Sequence, residues 1–342
     1  MAASCGDSGL RAWVSTTSRI PLTVPERIPQ AAELLSEAVV QADTTADPVL
    51  RCASRVSAHQ ALLGVGEIAA AAQHASEAVA LADAEGVPFL QVLARFNAVQ
   101  YRAYTGDLVG ARAMSQACLE LSQEAGETDT LAWWGAIEAS TAVVDGTVAQ
   151  LLPELERFVD ATPDLPAWRS AQALALAMAG EQAAASALVE RYALRDPTTV
   201  RRDWLTTSAW THLAVVAYEL GDVELGAMLV EQLTPHRRCW AHVNVFCEGP
   251  LEVHLGLALA APGQVGEAIA AVRRGRARLG ERGLRSHGPW ATLYLARLLV
   301  LRGREDGIAD ADTIAVEAAG AARSMGMSAM AQRLGGLVIA GA

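Results

Sequence analysis

Residues 210–233 read WTHLAVVAYELGDVELGAMLVEQL, and this stretch decides the fold. Apolar residues recur at helical spacing on both sides of Gly221-Asp222, which predicts two helices joined by a tight turn. Glycine suits the end of a helix because it adopts the left-handed conformation without a Cβ clash. The small Gly226 then permits a close approach between the two helices. The stretch therefore predicts a helical hairpin.

The turn glycine of this hairpin recurs along the whole chain. Such glycines stand 34 to 42 residues apart, at Gly66, Gly106, Gly146, Gly180, Gly221, Gly263 and Gly303. An acid or amide follows most of them, which is favourable at the positive N-terminal end of the next helix. A fixed period of this size indicates stacked helical hairpins, because no single hairpin buries its apolar face alone.

The repeat pattern is similar to that of tetratricopeptide repeats: a bulky residue, then Leu-Gly or Leu-Ala, a turn glycine and a small residue. We predict an all-α, right-handed α-solenoid of about seven tetratricopeptide-like repeats over residues 25–342. Residues 1–24 are expected to be poorly ordered. The predicted helix pairs are 49–63 with 67–84, 88–104 with 107–124, 130–144 with 148–161, 167–179 with 181–193, 199–220 with 222–234, 250–261 with 264–281, and 289–302 with 309–325.

Three features depart from a regular array. The helix predicted at 26–43 has a first partner that is missing or reduced to residues 9–19. Pro153 lies inside a predicted helix, so that helix is expected to begin late or to kink. The last helix, at 327–338, is apolar where the end of a repeat array is usually polar, which suggests self-association or a neighbouring domain.

Composition excludes several classes of protein. The 342 residues carry a net charge of −11, which argues against a nucleic-acid surface. All 27 basic residues are arginine, so the chain has neither a P-loop lysine nor a Schiff-base lysine. Five scattered cysteines form no disulfide framework, and neither a signal peptide nor an apolar run of membrane-spanning length is present. We expect a cytoplasmic protein with no cofactor and no membrane partner.

Four tryptophans lie 11 to 13 residues before a turn glycine: Trp134, Trp168, Trp210 and Trp290. This is the position of the packing aromatic in tetratricopeptide repeats, so we assign them to the contacts between helices.

Several segments resemble the helical-repeat region of actinobacterial LuxR-type and adenylate-cyclase-like signalling ATPases. The segments are 165–169 (LPAWR), 202–205 (RDWL), 247–251 (CEGPL), 289–299 and 322–327 (ARSMGM). The resemblance implies a tetratricopeptide-like superhelix that senses an inducer or holds a partner. Because the chain has no P-loop and no recognisable helix-turn-helix extension, the resemblance does not imply ATPase activity or DNA binding.

The densest polar and aromatic cluster lies in an insertion over residues 235–249. Binding groups often collect on such segments, so we predict a concave pocket lined by Trp204, Ser208, Thr211, Arg237, Trp240, Asn244 and Glu248. The alternative is a structured connection that fills the groove. A stripe at helical spacing, with Asn97, Gln100, Tyr101 and Tyr104, either faces the same groove or is a solvated or partly buried helix face.

The residue pattern offers little support for metal binding or for nucleophilic catalysis. His236, Cys239, His242 and Cys247 fall within twelve residues, but their spacing matches no strong zinc signature, and we predict no metal site. No Ser, His and Asp group is visibly arranged. Acid–base chemistry stays open, with Glu248, His242 and Asp203 as the leading candidates. The other candidates are Glu138, His212, Glu252 and His254.

Three hypotheses about function follow. The first is a non-catalytic regulatory protein that holds a small molecule or peptide in its groove. The second is an enzyme of specialised metabolism, such as a cyclase or isomerase, with the groove as its reaction chamber. The third is a dimeric protein-interaction scaffold, which would have a homodimer or a regulatory protein as its partner.

Overall fold

The computed structural model describes residues 7–127, 130–162, 165–200, 202–303 and 305–339. Within these ranges the chain is all-α except for one two-stranded hairpin, which confirms the predicted fold class. The helices are α1 Ser8–Thr17, α2 Arg19–Leu22, α3 Ile28–Asp43, α4 Pro48–Val65, α5 Ile68–Glu85, α6 Pro88–Thr105, α7 Leu108–Glu124, α8 Thr130–Asp145, α9 Leu152–Ala161, α10 Pro166–Ala179, α11 Gln182–Arg191, α12 Thr206–Leu220, α13 Val223–Leu233, α14 Leu251–Ala260, α15 Val265–Glu281, α16 His287–Arg302, α17 Glu305–Ser324 and α18 Ser328–Ile339; the strands are β1 Trp240–His242 and β2 Cys247–Pro250.

The predicted hairpin turns are confirmed. All seven turn glycines adopt the left-handed conformation, with φ between 62° and 99°. Asp107 and Asp222, which follow two of them, cap the next helix: their carboxylates accept hydrogen bonds from the backbone N–H groups of Gly110 and Leu225. Both contacts satisfy N–H groups that have no partner within the helix. Local chemistry thus fixes where most hairpins turn.

The first helices of successive hairpins form an inner layer. Contacts join α4 to α6 and α6 to α8, and a second series joins α10, α12, α14 and α16. Helix α8 also contacts α16 and α18, so the C-terminal end of the array packs against its middle. The array is therefore folded back on itself around its inner helices.

The insertion at 235–249 forms a β-hairpin that fills the centre of this arrangement. Trp240 pairs with Pro250, and Trp240, Phe246 and Cys247 are buried. The backbone N–H of Cys247 donates to the Tyr104 hydroxyl at 2.7 Å, and a ring nitrogen of His287 bonds the Cys247 carbonyl oxygen at 3.0 Å. Asn244, with φ 62°, supplies the left-handed residue of the turn. The insertion was foreseen, but its strands were not.

The structure describes parts of both ends of the chain. In the described part of segment 1–24, α1 and α2 are formed: Asp7 caps α1, and Ala12 packs with Ala42 and Leu50. Residues 1–6 lie outside the described residues. In and just before α18, Met327, Met330 and Leu334 are fully buried within the chain, so these three side chains are not exposed to a partner.

Two irregular helices also differ in how well the sequence predicted them. Pro153 has the predicted effect: α9 begins late, after a 3-10 turn at Val148–Leu151. The prediction of a long first helix over 199–220 is wrong, since α12 begins at Thr206 and Trp204 precedes it. Asp203 forms a turn just before the helix: its carboxylate accepts from the Leu205 N–H at 2.8 Å, and its own N–H donates to the Thr206 hydroxyl at 2.8 Å.

Candidate functional site

A cavity of about 450 Å³ opens between α8, α9, α10, the start of α12 and the β-hairpin. Its walls are mainly aromatic and aliphatic, with Trp133, Phe158, Trp168 and Trp204 as the largest side chains. Phe158 and Trp168 stack with their ring centroids 4.5 Å apart. A cavity of this size and lining is typical of a small-molecule site.

The cavity lies where the repeat is shortest. The turn glycines Gly146 and Gly180 are 34 residues apart, and α9 has only ten residues. On α8, small residues at helical spacing face the gap: Ala132, Ala136, Ala139 and Ser140. Short helices and small side chains leave space that a full repeat would fill.

The carboxylate of Glu248, from β2, lies at the base of this cavity. The hydroxyls of Ser208 and Thr211 each donate to it at 2.9 Å, and His212 Nε2 lies 3.3 Å from Oε1. Burial alone would raise the pKa of Glu248, but the charge of His212 and the hydrogen bonds outweigh burial and lower the pKa to about 2. The side chain is therefore an anion at neutral pH.

His212 links Glu248 to Ser170. The Ser170 hydroxyl lies 3.1 Å from His212 Nδ1 and 2.8 Å from the Ala167 carbonyl oxygen. If the hydroxyl donates to Ala167, then both ring nitrogens of His212 carry protons; if it donates to Nδ1, a neutral ring still donates Nε2–H to Glu248. In both arrangements His212 donates Nε2–H to Glu248.

A much smaller cavity, of about 20 Å³, lies behind Glu248 and is lined in part by His254, His287 and Trp290. Its volume suits about one water molecule. Burial lowers the pKa of both His254 and His287 to about 4, so neither neutralises the carboxylate at neutral pH. His212 is the basic side chain in contact with Glu248 among the described residues.

The structure divides the predicted pocket residues between separate places. Trp204, Ser208 and Glu248 line the cavity together, and Thr211 donates to Glu248 from the side of the 20 Å³ cavity. Arg237 lies outside, since it is exposed in the turn before β1. Trp240 lies under the α4 turn, and Asn244 forms the hairpin turn. Arg237, Trp240 and Asn244 therefore do not line the cavity with Glu248.

Tyr101 and Tyr104 belong to a buried network instead of the cavity wall. The Tyr101 hydroxyl lies 2.9 Å from His59 Nδ1, and the Tyr104 hydroxyl bonds Gln100 and accepts from the Cys247 N–H. The stripe that contains them is therefore the partly buried helix face that the sequence left as an alternative.

Of the three leading acid–base candidates, the cavity holds only Glu248. His242 is buried beside α4 and accepts from the Asn244 N–H at 3.3 Å, and Asp203 bonds the Leu205 N–H in the turn before α12. The possible metal ligands do not converge: among the described residues no three His, Cys, Asp or Glu side chains are grouped to hold an ion. His236, for instance, stacks on Trp210.

Sequence reasoning missed part of the cavity wall. Trp168 was assigned to packing alone, and Trp133 and Phe158 were not singled out. The signals were the short period and the small residues on α8, which together mark a place where the array does not fill its own interior.

Compared with models of known protein families and with curated proteins, the chain matches none. In the part of the chain that the structure describes, none of the helices combines the length and apolar character needed to cross a bilayer.

Proposed function

We propose that the protein is a small-molecule binding protein whose ligand is a largely apolar amine held in the cavity beside Glu248. The observation that carries the proposal is an ionised carboxylate at the base of an apolar cavity, supported by hydroxyls and one histidine but by no arginine contact among the described residues. A buried anion of this kind is most strongly stabilised by a cation that donates hydrogen bonds.

The aromatic walls support the same ligand class. Trp133, Phe158, Trp168 and Trp204 offer apolar area for the body of the ligand, and an aromatic face attracts a cation. The resemblance to inducer-sensing superhelices supports a regulatory role, in which occupancy of the cavity changes how the repeat array meets a partner.

The test uses three matched probes: naphthylmethylamine, the neutral naphthalenemethanol and the anionic naphthoate. Calorimetry of the wild type is expected to show the amine binding more tightly than the alcohol. In Glu248→Gln the amine affinity should fall at least about thirtyfold, because truncating a buried charge pair costs about 2 kcal/mol or more. Glu181→Gln, an exposed residue, matches the change in charge and should bind like the wild type. Equal affinities in the wild type and Glu248→Gln would refute the proposal.

A second prediction concerns the cavity itself. Ala136→Phe places a ring into the space beside Trp133 and Phe158 and should lower amine affinity at least about tenfold. The free energy of unfolding should change by less than about 1.5 kcal/mol, because the ring fills existing space. Calorimetry and urea unfolding measure the two quantities. Unchanged affinity in a folded variant would place the ligand elsewhere.

The contact between His212 and Glu248 favours an enzyme as the second candidate, since a buried acid–base pair at a cavity can move a proton of its occupant. The test compares the small molecules that copurify with the wild type and with His212→Gln, separated by chromatography. If the two proteins hold chemically different molecules, and if the wild type converts the molecule that copurifies with His212→Gln, then the protein catalyses a reaction. Identical molecules would show binding alone.

A further inference from the structure

A second cavity, of about 400 Å³, lies on the other side of Trp133. Residues from α1, α2, α4, α6 and the start of α8 line it, among them Val56, Phe89 and Leu93. Phe89 is about half exposed, so an apolar surface is open to solvent there. Trp133 is shared by both cavities, which therefore lie side by side along the inner helices.

Arg19 is the basic residue of this second cavity, and it makes no ion pair with a carboxylate among the described residues. Burial lowers the pKa of Arg19, whereas Arg55 and Arg195, which pair with carboxylates, have raised pKa values. An arginine that is largely removed from water without an anion bears an uncompensated desolvation cost. This is unusual in a chain with 38 acidic residues.

A buried polar chain holds Arg19 in place. Its Nη1 donates to the Gln60 side-chain oxygen at 2.6 Å, and the Gln60 amide donates to Asn97 at 2.9 Å. Gln60 and Asn97 are almost fully buried, so the guanidinium is held from behind. Its other N–H groups are left for a partner in the cavity.

Thr16, on α1, lines the same cavity, and its buried hydroxyl oxygen has no hydrogen-bond partner in the described part of the chain. A guanidinium donates to the oxygens of a carboxylate, and a hydroxyl that lines the same cavity supplies a further donor. Glu127 also lines this cavity and opposes an anion there.

We propose that this second cavity binds a carboxylate carried on an apolar body, with the carboxylate on Arg19 and Thr16 and the body against Phe89, Leu93 and Trp133. The site is independent of the amine site, because Glu248 does not line it. The two cavities thus offer opposite charges on the two sides of one tryptophan.

Calorimetry with naphthoate and naphthalenemethanol tests the site. The wild type should bind the acid more tightly than the alcohol, with saturation below about 1 mM. Arg19→Met should weaken naphthoate binding at least about tenfold, the loss expected for a charged hydrogen bond. Arg102→Met removes an exposed arginine and matches the change in charge, so it should bind like the wild type.

Glu127→Gln should have the opposite effect and tighten naphthoate binding, because it removes a negative charge that repels the carboxylate. If Arg19→Met does not fold, then Arg19→Lys keeps the charge and should weaken binding only a fewfold, since lysine lacks the planar fork. Three results would overturn the proposal: no saturable naphthoate binding, equal affinity for acid and alcohol, or unchanged affinity in folded Arg19→Met. Glu248→Gln should leave naphthoate binding intact, so failure of the amine proposal would not affect this result.

Discussion

Gly66→Ala is expected to destabilise the protein by about 3 kcal/mol or more, because two separate costs coincide at one residue. Gly66 has φ 78°, a conformation that a side chain disfavours. A Cβ there would also lie 2.1 Å from Nε1 of Trp240, which is buried and cannot move aside. Urea unfolding followed by circular dichroism measures the change.

Gly221→Ala is the matched control. Gly221 is also a turn glycine with positive φ, at 62°, but no atom lies within 4 Å of an added Cβ. Its cost should be about 1 kcal/mol, that of the backbone conformation alone. Equal losses in the two variants would show that the contact between the β-hairpin and the α4 turn contributes nothing to stability.

Mild acid is expected to remove most of the stability, because four histidines are buried without charge. Burial lowers the pKa to about 3 for His59 and to about 4 for His242, His254 and His287. In the unfolded chain each binds a proton near pH 6.5. The unfolded state therefore binds more protons between pH 6.5 and 4, so stability is complete above about pH 7 and falls as the pH falls.

At pH 5.5 each of these histidines should contribute a loss of about 1.4 kcal/mol relative to pH 8, or roughly 5.6 kcal/mol together. This approaches the whole stability of an ordinary domain. Urea unfolding at both pH values measures the loss, and His254→Gln should reduce the loss by about one quarter. Stability that does not change between pH 8 and 5.5 would contradict the burial of neutral histidines.

The sequence could predict what neighbouring residues determine. Turn glycines followed by acids or amides mark the hairpins, because a left-handed residue and a helix cap act within a few residues of each other. Helix bounds were therefore close for most pairs, such as α4 and α5. Where a local signal was overlooked, as with the turn that Asp203 forms before α12, the boundary was wrong.

The site depends on contacts between residues that are distant in sequence, and local sequence patterns do not predict such contacts. Glu248 meets Ser208 and Ser140 only because β2 folds into the centre of the array, and the two serines are 68 residues apart in sequence. Arg237 and Trp240 are near Glu248 in sequence but lie elsewhere in space, since the hairpin reverses direction at Asn244. The composition of the insertion indicated where the site lies, but it did not show which side chains of the insertion face the cavity.

A crystal structure of the protein soaked with naphthylmethylamine shows whether the cavity holds an amine against Glu248. The ring is expected between Trp168 and Trp204, with the amine nitrogen within about 3 Å of the Glu248 carboxylate. An amine bound at another surface, or one that enters the cavity with its nitrogen turned away from Glu248, would contradict the amine proposal.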